Sequence, residues 1–265
     1  MKKNIYILFI GILLISFNSE AQNFALGVRG GISIPNLTAG GGTDNPLNTG
    51  YSSRSGQDAG IFAEFKFSKL FSLQAMAEYS GQGGKKDGFQ AFTPPAILSP
   101  MFPPGQVPQY LYANYNSEAK LNYLMIPVLA KFGWDFGKSP WRIYVDAGPF
   151  IGFLLSAKQV TSGESQLYTD PSGQQALPLG QQSFANTQDI KNQLHSTNFG
   201  IEGNVGLNYR FGPNNIFIEG GGNYGFLNIQ KGSQNGKNNT GAATADLGYR
   251  FWFGRHAIEK EKPTE

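Results

Sequence analysis

The chain of 265 residues carries 21 basic and 18 acidic side chains, for a formal net charge of +3, with 15% charged residues, 14% aromatic residues and 35 glycines. Low charge with abundant Gly and aromatics is the reverse of a disordered composition, and so small an excess of base gives no electrostatic footprint for nucleic acid. The absence of Cys excludes disulfide scaffolds, thiolate metal centres and Cys nucleophiles, and two histidines, His195 and His256, are too few for a multi-histidine metal site.

The N-terminus reads as an export leader. Met1, Lys2 and Lys3 form a basic start, and Ile5 to Phe17 is an apolar run of 13 residues, against the roughly 20 that a spanning helix needs. Ser19 and Ala21 supply small residues ahead of a cleavage point, so residues 1–21 are expected to be removed and the mature chain to start at Gln22. No Cys follows that point, which excludes a lipid-anchored form.

Period-two alternation then recurs along the chain. Strands are expected near 23–34, 57–68, 71–82, 118–132, 141–157, 196–211, 216–229 and 241–254. In the second, Ala59, Ile61, Ala63, Phe65 and Phe67 share one face while Glu64, Lys66 and Ser68 share the other. The fourth should bulge around Met125-Ile126-Pro127, since Pro lacks a ladder donor. The fifth sets Trp141, Ile143, Val145 and Ala147 against Arg142, Tyr144 and Asp146; the eighth sets Leu247, Tyr249, Phe251 and Phe253 against Asp246, Gly248, Arg250 and Trp252.

The connections fix a topology. Three are short (69–70, 133–140 and 212–215), and they alternate without exception with the longer stretches 35–56, 83–117, 158–195 and 230–240. The expected fold is therefore all-β: an eight-stranded antiparallel up-and-down transmembrane β-barrel with short periplasmic turns and long outer loops. It would occupy residues 22–254 and leave 255–265 as a polar periplasmic tail, with His256 solvated in it.

A soluble carrier barrel would be apolar inside and polar outside. The polar face here carries too much charge for such a cavity, so it is assigned to the lumen. That gives Arg29, Lys66, Lys131, Arg142, Arg210 and Arg250 against Glu64, Glu78, Asp146, Glu202, Glu219 and Asp246, an even balance suited to an ion-pair network. The bases fall near the tight turns and the acids deeper, so a basic layer should underlie an acidic one; a gated ion path is the functional alternative to simple filling. Aromatics such as Phe67, Phe71, Phe132, Trp134, Trp141, Tyr209 and Phe211 gather at the tight-turn end, as an interfacial girdle requires.

Leu121-Asn122-Tyr123-Leu124-Met125-Ile126-Pro127-Val128-Leu129 resembles a fourth-strand pattern of the outer membrane β-barrel domain family, whose members are often called porin family or PorT-like and are similar to OmpX- and OmpA-type barrels. Asp146–Leu155, Asn223–Ile229 and Leu247–Phe251 resemble later strands of the same family. The resemblance spans the mature chain and implies an outer-membrane location without naming an activity. Gly248, Phe251 and Phe253 stand at the key positions of a segment that resembles the signal read by barrel-assembly machinery, although a polar tail follows it here.

Enzymatic chemistry has one weak candidate, His195-Ser196 at the outer rim, where barrel acyltransferases and deacylases keep a His and a Ser; no acid is convincingly spaced to orient the pair. Gly40-Gly41-Gly42 reads as loop punctuation, Gly220-Gly221-Gly222 as close packing in a strand, and Gly81–Lys86 misses phosphate-loop spacing. No catalytic residue, metal or cofactor is assigned. Loop 83–117 holds six prolines interleaved with Phe89, Phe92, Phe102, Tyr110, Tyr112 and Tyr115, and loop 158–195 holds eight Gln. Stiff aromatic loops suit binding of partner proteins or surface glycans; the same aromatics could instead fold back and cap the barrel. A structural or interaction role for the outer loops is the leading expectation, ahead of a narrow pore for small solutes and a rim enzyme.

Overall fold

The computed structural model describes residues 23–39, 45–47, 49–232 and 236–253. The leader 1–21, the tail 255–265 with His256, and Gly40-Gly41-Gly42 lie outside the described residues.

Eleven strands are formed among the described residues: β1 (Phe24–Ala39), β2 (Gly56–Lys66), β3 (Phe71–Phe92), β4 (Leu111–Asp135), β5 (Trp141–Ser162), β6 (Glu164–Ser165), β7 (Gln182–Ser183), β8 (Asn186–Asp189), β9 (Thr197–Phe211), β10 (Asn214–Gly225) and β11 (Asn238–Phe253). Eight of them close a ring in the order β1-β2-β3-β4-β5-β9-β10-β11 and back to β1, with every pair antiparallel. These eight are the strands that alternation marks out in the sequence. Closure pairs both edges, which is what lets a sheet sit in lipid; no described helix is long and apolar enough to cross a membrane.

Alternation has the sense expected of a membrane barrel. Leu26, Val28, Ile61, Val145, Ile151, Ile201, Val205, Ile218 and Leu247 face outward and are exposed, Ile61 at 65% and Leu247 at 64%. Phe67, Phe132, Trp134, Trp141, Phe211 and Phe253 ring the tight-turn end. A second set, Phe153, Phe199, Tyr224 and Phe226, rings the other end, so the girdle is double and not confined to one side.

The tight turns carry their own chemistry. The Ser68 hydroxyl accepts from the Leu70 and Phe71 N–H groups, at 3.2 and 3.0 Å. Gly212 takes φ +63° at the head of a two-residue loop between Phe211 and Asn214, the position at which a II′ hairpin turn calls for Gly.

Two expectations change. The register of β4 is constant past Pro127: Ala75 faces Val128 and Glu78 faces Met125 in one alignment. Pro127 omits its ladder contact to β3 without displacing the strand, and the shift falls instead between Asn122 and Tyr123, on the β5 side. About half of the stretch 83–117 is also strand. β3 and β4 stay paired out to Phe92 and Leu111, leaving a loop of 93–110 that contains a 3-10 turn, Ala96–Met101. β8 extends this outer sheet on β5, pairing Lys158–Thr161 with Asn186–Asp189.

Candidate functional site

The barrel interior is filled in tiers, ordered by distance along the strands from the tight turns. Lowest are Glu64, Lys131 and Arg250. The Arg250 guanidinium bonds the Glu64 carboxylate, whose other oxygen accepts from Ser72 at 2.7 Å. Lys131 Nζ lies 3.3 Å from Asp146, donates to Gln74 at 2.7 Å and stands 4.3 Å over the Tyr144 ring. A buried apolar cluster of Phe62, Met76, Leu129, Tyr144 and Phe217 packs beside this tier.

At mid-barrel sits Arg29, its side chain 1% exposed. Nη1 bonds Glu219 at 2.6 Å, while Nη2 bonds Glu78 at 2.5 Å and Glu202 at 3.0 Å; Nε stands 3.8 Å from Asp58. Those acids come from β10, β3, β9 and β2, so one guanidinium from β1 joins walls on both sides of it around the ring. Tyr144 donates to the second Glu219 oxygen at 2.6 Å. Asp246 is buried here too, and neither carboxylate oxygen has a hydrogen-bond partner among the described residues.

The twelve expected lumen charges therefore divide. Arg29, Glu64, Glu78, Lys131, Asp146, Glu202, Glu219, Asp246 and Arg250 are buried in the barrel. Lys66, Arg142 and Arg210 are half-exposed at the tight-turn rim. There Arg142 and Arg210 lie 3.0 and 3.3 Å from Asp135, and Lys66 stands 5.9 Å over Trp252. The even balance does not hold in the buried layer. Three bases face seven carboxylates, because long side chains next to a turn reach water and because Asp58 joins the acids. Asp58 shares the parity of Glu64 and Asp135 that of Lys131, so continuing the alternation would have found both. The order of layers changes as well, since Arg29 stands among the deeper acids.

Above Arg29 comes a neutral polar tier, in which Gln82 bonds Asn223 at 3.1 Å and Asn198 bonds Thr240 at 2.7 Å. An apolar floor follows, built from Leu37, Leu121, Tyr123, Leu154, Leu194 and Ile229.

Beyond the floor, the outer extension has a small core of its own. Leu111, Ala113, Tyr115 and Leu167 are buried in it, with Phe92, Phe102, Leu98 and Phe184 packed against them. Tyr115 stacks on Phe184 at 4.3 Å, and Phe89 stacks on Tyr112 at 6.0 Å. Of the six loop aromatics singled out in the sequence, Tyr115 is buried, Phe92, Phe102, Tyr110 and Tyr112 are half-buried, and Phe89 is exposed. The apolar side chains exposed on the tip are Ile97, Met101 and Val107. In the next loop, Asp170 accepts from the Ser172 hydroxyl and from the backbone N–H groups of Ser172, Gln174 and Gln175, which hold its carboxyl down at about 2.

His195 and Ser196 are both exposed, with no hydrogen bond between them among the described residues. Asp189 accepts from the Lys191 backbone N–H at 2.8 Å, so that acid is turned to its own loop. In the last strand Gly248 faces inward beneath the Phe217 ring, whereas Phe251 and Phe253 face outward with their rings 5.0 Å apart.

A family model described as outer membrane protein beta-barrel domain matches residues 20–231. No curated protein matches the chain. Among solved structures, the chain is similar to Neisserial surface protein A at 14% identity and a TM-score of 0.37, over 86% of this chain and 99% of that one. It is similar to Ail, the attachment invasion locus protein of Yersinia pestis, at 12% identity and a TM-score of 0.37, over 86% and 99%. The N-terminal β-barrel domain of Pseudomonas aeruginosa OprF is 13% identical with a TM-score of 0.30, over 87% and 97%.

Proposed function

The chain belongs to the outer membrane protein beta-barrel domain family, and on that footing we propose that it is an interaction barrel, its lumen closed by buried ion pairs and its outer loops binding a partner at the cell surface. Membership implies an outer-membrane location. The observation that carries a closed lumen is Arg29, bonded at once to acids of β3, β9 and β10 with its side chain 1% exposed. Support for the partner reading comes from the outer extension. Its packed aromatic core holds Phe89, Ile97, Met101 and Val107 out toward water, so little conformational freedom is left to lose on binding. Exposed apolar side chains favour a protein partner over a surface glycan.

Replacing 93–110 by a short Gly-Ser turn tests this. Proximity cross-linking on intact cells should lose its protein adducts, while circular dichroism of the purified variant keeps the barrel spectrum. Unchanged adducts would refute a partner at this tip, and adducts to polysaccharide alone would replace the protein reading with the glycan one.

A further inference from the structure

A cavity of about 610 Å3 opens above the apolar floor, between the outer parts of β3, β4 and β5 and the loops around Tyr51, Phe184 and Ile229. That volume falls within the range of roughly 300–1,000 Å3 in which small-molecule sites lie. The tip borders it through Pro95, Ile97 and Leu98.

Its lining is part apolar and aromatic and part polar, the polar share coming largely from uncharged side chains such as Gln90, Ser117, Gln159, Thr161 and Gln188. Leu37, Leu121 and Leu194 belong to the floor, and the stacked Tyr115–Phe184 pair belongs to the wall. Lys86 also lines it, at 6% exposed. Its ammonium donates to the Leu47 carbonyl at 2.8 Å and the Pro46 carbonyl at 3.4 Å, and stands 4.8 Å from the centre of the Tyr51 ring.

Carbonyls and a ring face soften the burial of a cation without neutralising it. Arg29, Lys131 and Arg250, the bases buried in the barrel, each stand within ion-pair distance of a carboxylate. No carboxylate among the described residues stands so near Lys86. A second signal comes from Asn238, which lines the same cavity at 1% exposed and whose side-chain oxygen has no hydrogen-bond partner among the described residues.

A buried cation with no counter-ion among the described residues, beside stacked aromatic rings in a space of ligand size, specifies its complement. We propose that the mouth cavity binds a small aromatic carboxylate, the carboxylate on Lys86 and the ring among Tyr115, Phe184 and the floor leucines. A neutral aromatic of the same shape gains the apolar contacts and leaves Lys86 unpaired. The proposal does not rest on the partner reading, because the probe is small and no partner is present in its test.

The test is isothermal titration calorimetry of the full chain in lipid nanodiscs, with empty nanodiscs as the blank. The probes are 2-naphthoate, its neutral relative 2-naphthalenemethanol, and octanoate. Saturable one-to-one binding of 2-naphthoate is expected, at least tenfold tighter than the alcohol. Lys86→Met should erase that preference while leaving the alcohol unchanged, and Phe184→Ala should weaken both. No saturable binding above the blank, equal affinity for anion and alcohol, or octanoate binding tighter than 2-naphthoate would each overturn the proposal. So would full 2-naphthoate affinity in Lys86→Met. If Lys86→Met loses both probes, Lys86→Arg decides: recovered anion preference upholds the assignment, and its absence ends it.

Discussion

Arg29 and Asp246 occupy the same buried tier and should respond oppositely to neutralisation. Removing the guanidinium strands Glu78, Glu202 and Glu219 in the interior, and breaking such a buried arrangement on one side costs about 3–5 kcal/mol. Arg29→Met should therefore lower the urea midpoint of the vesicle-inserted protein, followed by tryptophan fluorescence. Asp246 has no partner for either oxygen among the described residues and stands in a layer with excess acid, so Asp246→Asn should leave the midpoint unchanged or raise it. A fall as large as that of Arg29→Met would show that the excess acid is itself structural. Asp170 gives a pH prediction at the same scale. Its folded carboxyl, first through the Ser172 hydroxyl and then through backbone N–H donors, titrates at about 2 against an ordinary 3.8. A depressed carboxyl stabilises its loop above the ordinary value and loses that contribution as pH falls through about 2. Protection of the Ser172, Gln174 and Gln175 amides, taken relative to the intrinsic exchange rate at each pH, should fall between pH 4 and pH 2, and Asp170→Ala should abolish the transition. Parity made the direction of each lumen residue legible in the sequence. Depth was less so: Lys66, Arg142 and Arg210 have inward parity, yet nearness to a turn lets a long side chain reach water.

The strand glycines follow a rule that only register exposes. Gly27 stands opposite Phe62, Gly206 opposite Tyr144, Gly248 opposite Phe217 and Gly200 opposite Phe150, and in each pair the ring occupies the space a Cβ would need. Inward rings thus lie flat across the neighbouring strand and fill a narrow lumen without forcing the backbones apart. Gly248→Ala would put its Cβ 2.0 Å from the Phe217 ring, an overpacking that costs about 1–3 kcal/mol. Gly220→Ala is the control, because the nearest atom to its Cβ is 3.8 Å away. Adding Phe217→Leu to Gly248→Ala should recover part of the loss, a coupling that a double-mutant cycle in urea would measure. Additive losses would mean that the ring does not seat on that glycine. The eight barrel strands were legible because lipid on one side and charge on the other impose a strong alternation. The outer halves of β3 and β4 were not, since water surrounds their outward face and residues 83–92 show no apolar-out pattern. The six prolines that made 83–117 read as one loop all fall within the 93–110 tip. Lys86 and its cavity had no sequence signal, for they depend on Tyr51, Phe184 and Asn238 arriving from three distant segments.

For the whole molecule, the stacking order of tiers decides what the mouth cavity can be. An eight-stranded barrel leaves an interior wide enough only for its own side chains, and here these form four successive layers beneath the cavity: the leucine-rich floor, the Gln82–Asn223 tier, the Arg29 cluster and the Glu64–Lys131–Arg250 tier. A ligand seated on Lys86 would meet apolar side chains below it and buried carboxylates below those. The floor offers nothing to replace hydration, and the excess acid repels an anion. On the proposed reading of a closed lumen the cavity is a blind cup, and binding in it would not lead to passage. Inserted in a planar bilayer at neutral pH, the barrel should give no stable conductance steps. Vesicles loaded with 2-naphthoate should leak at the same rate with and without the inserted barrel, even where calorimetry detects binding. Large steady steps, or leakage that scales with protein, would mean that the Arg29 tier opens and that the cup is the outer vestibule of a pore.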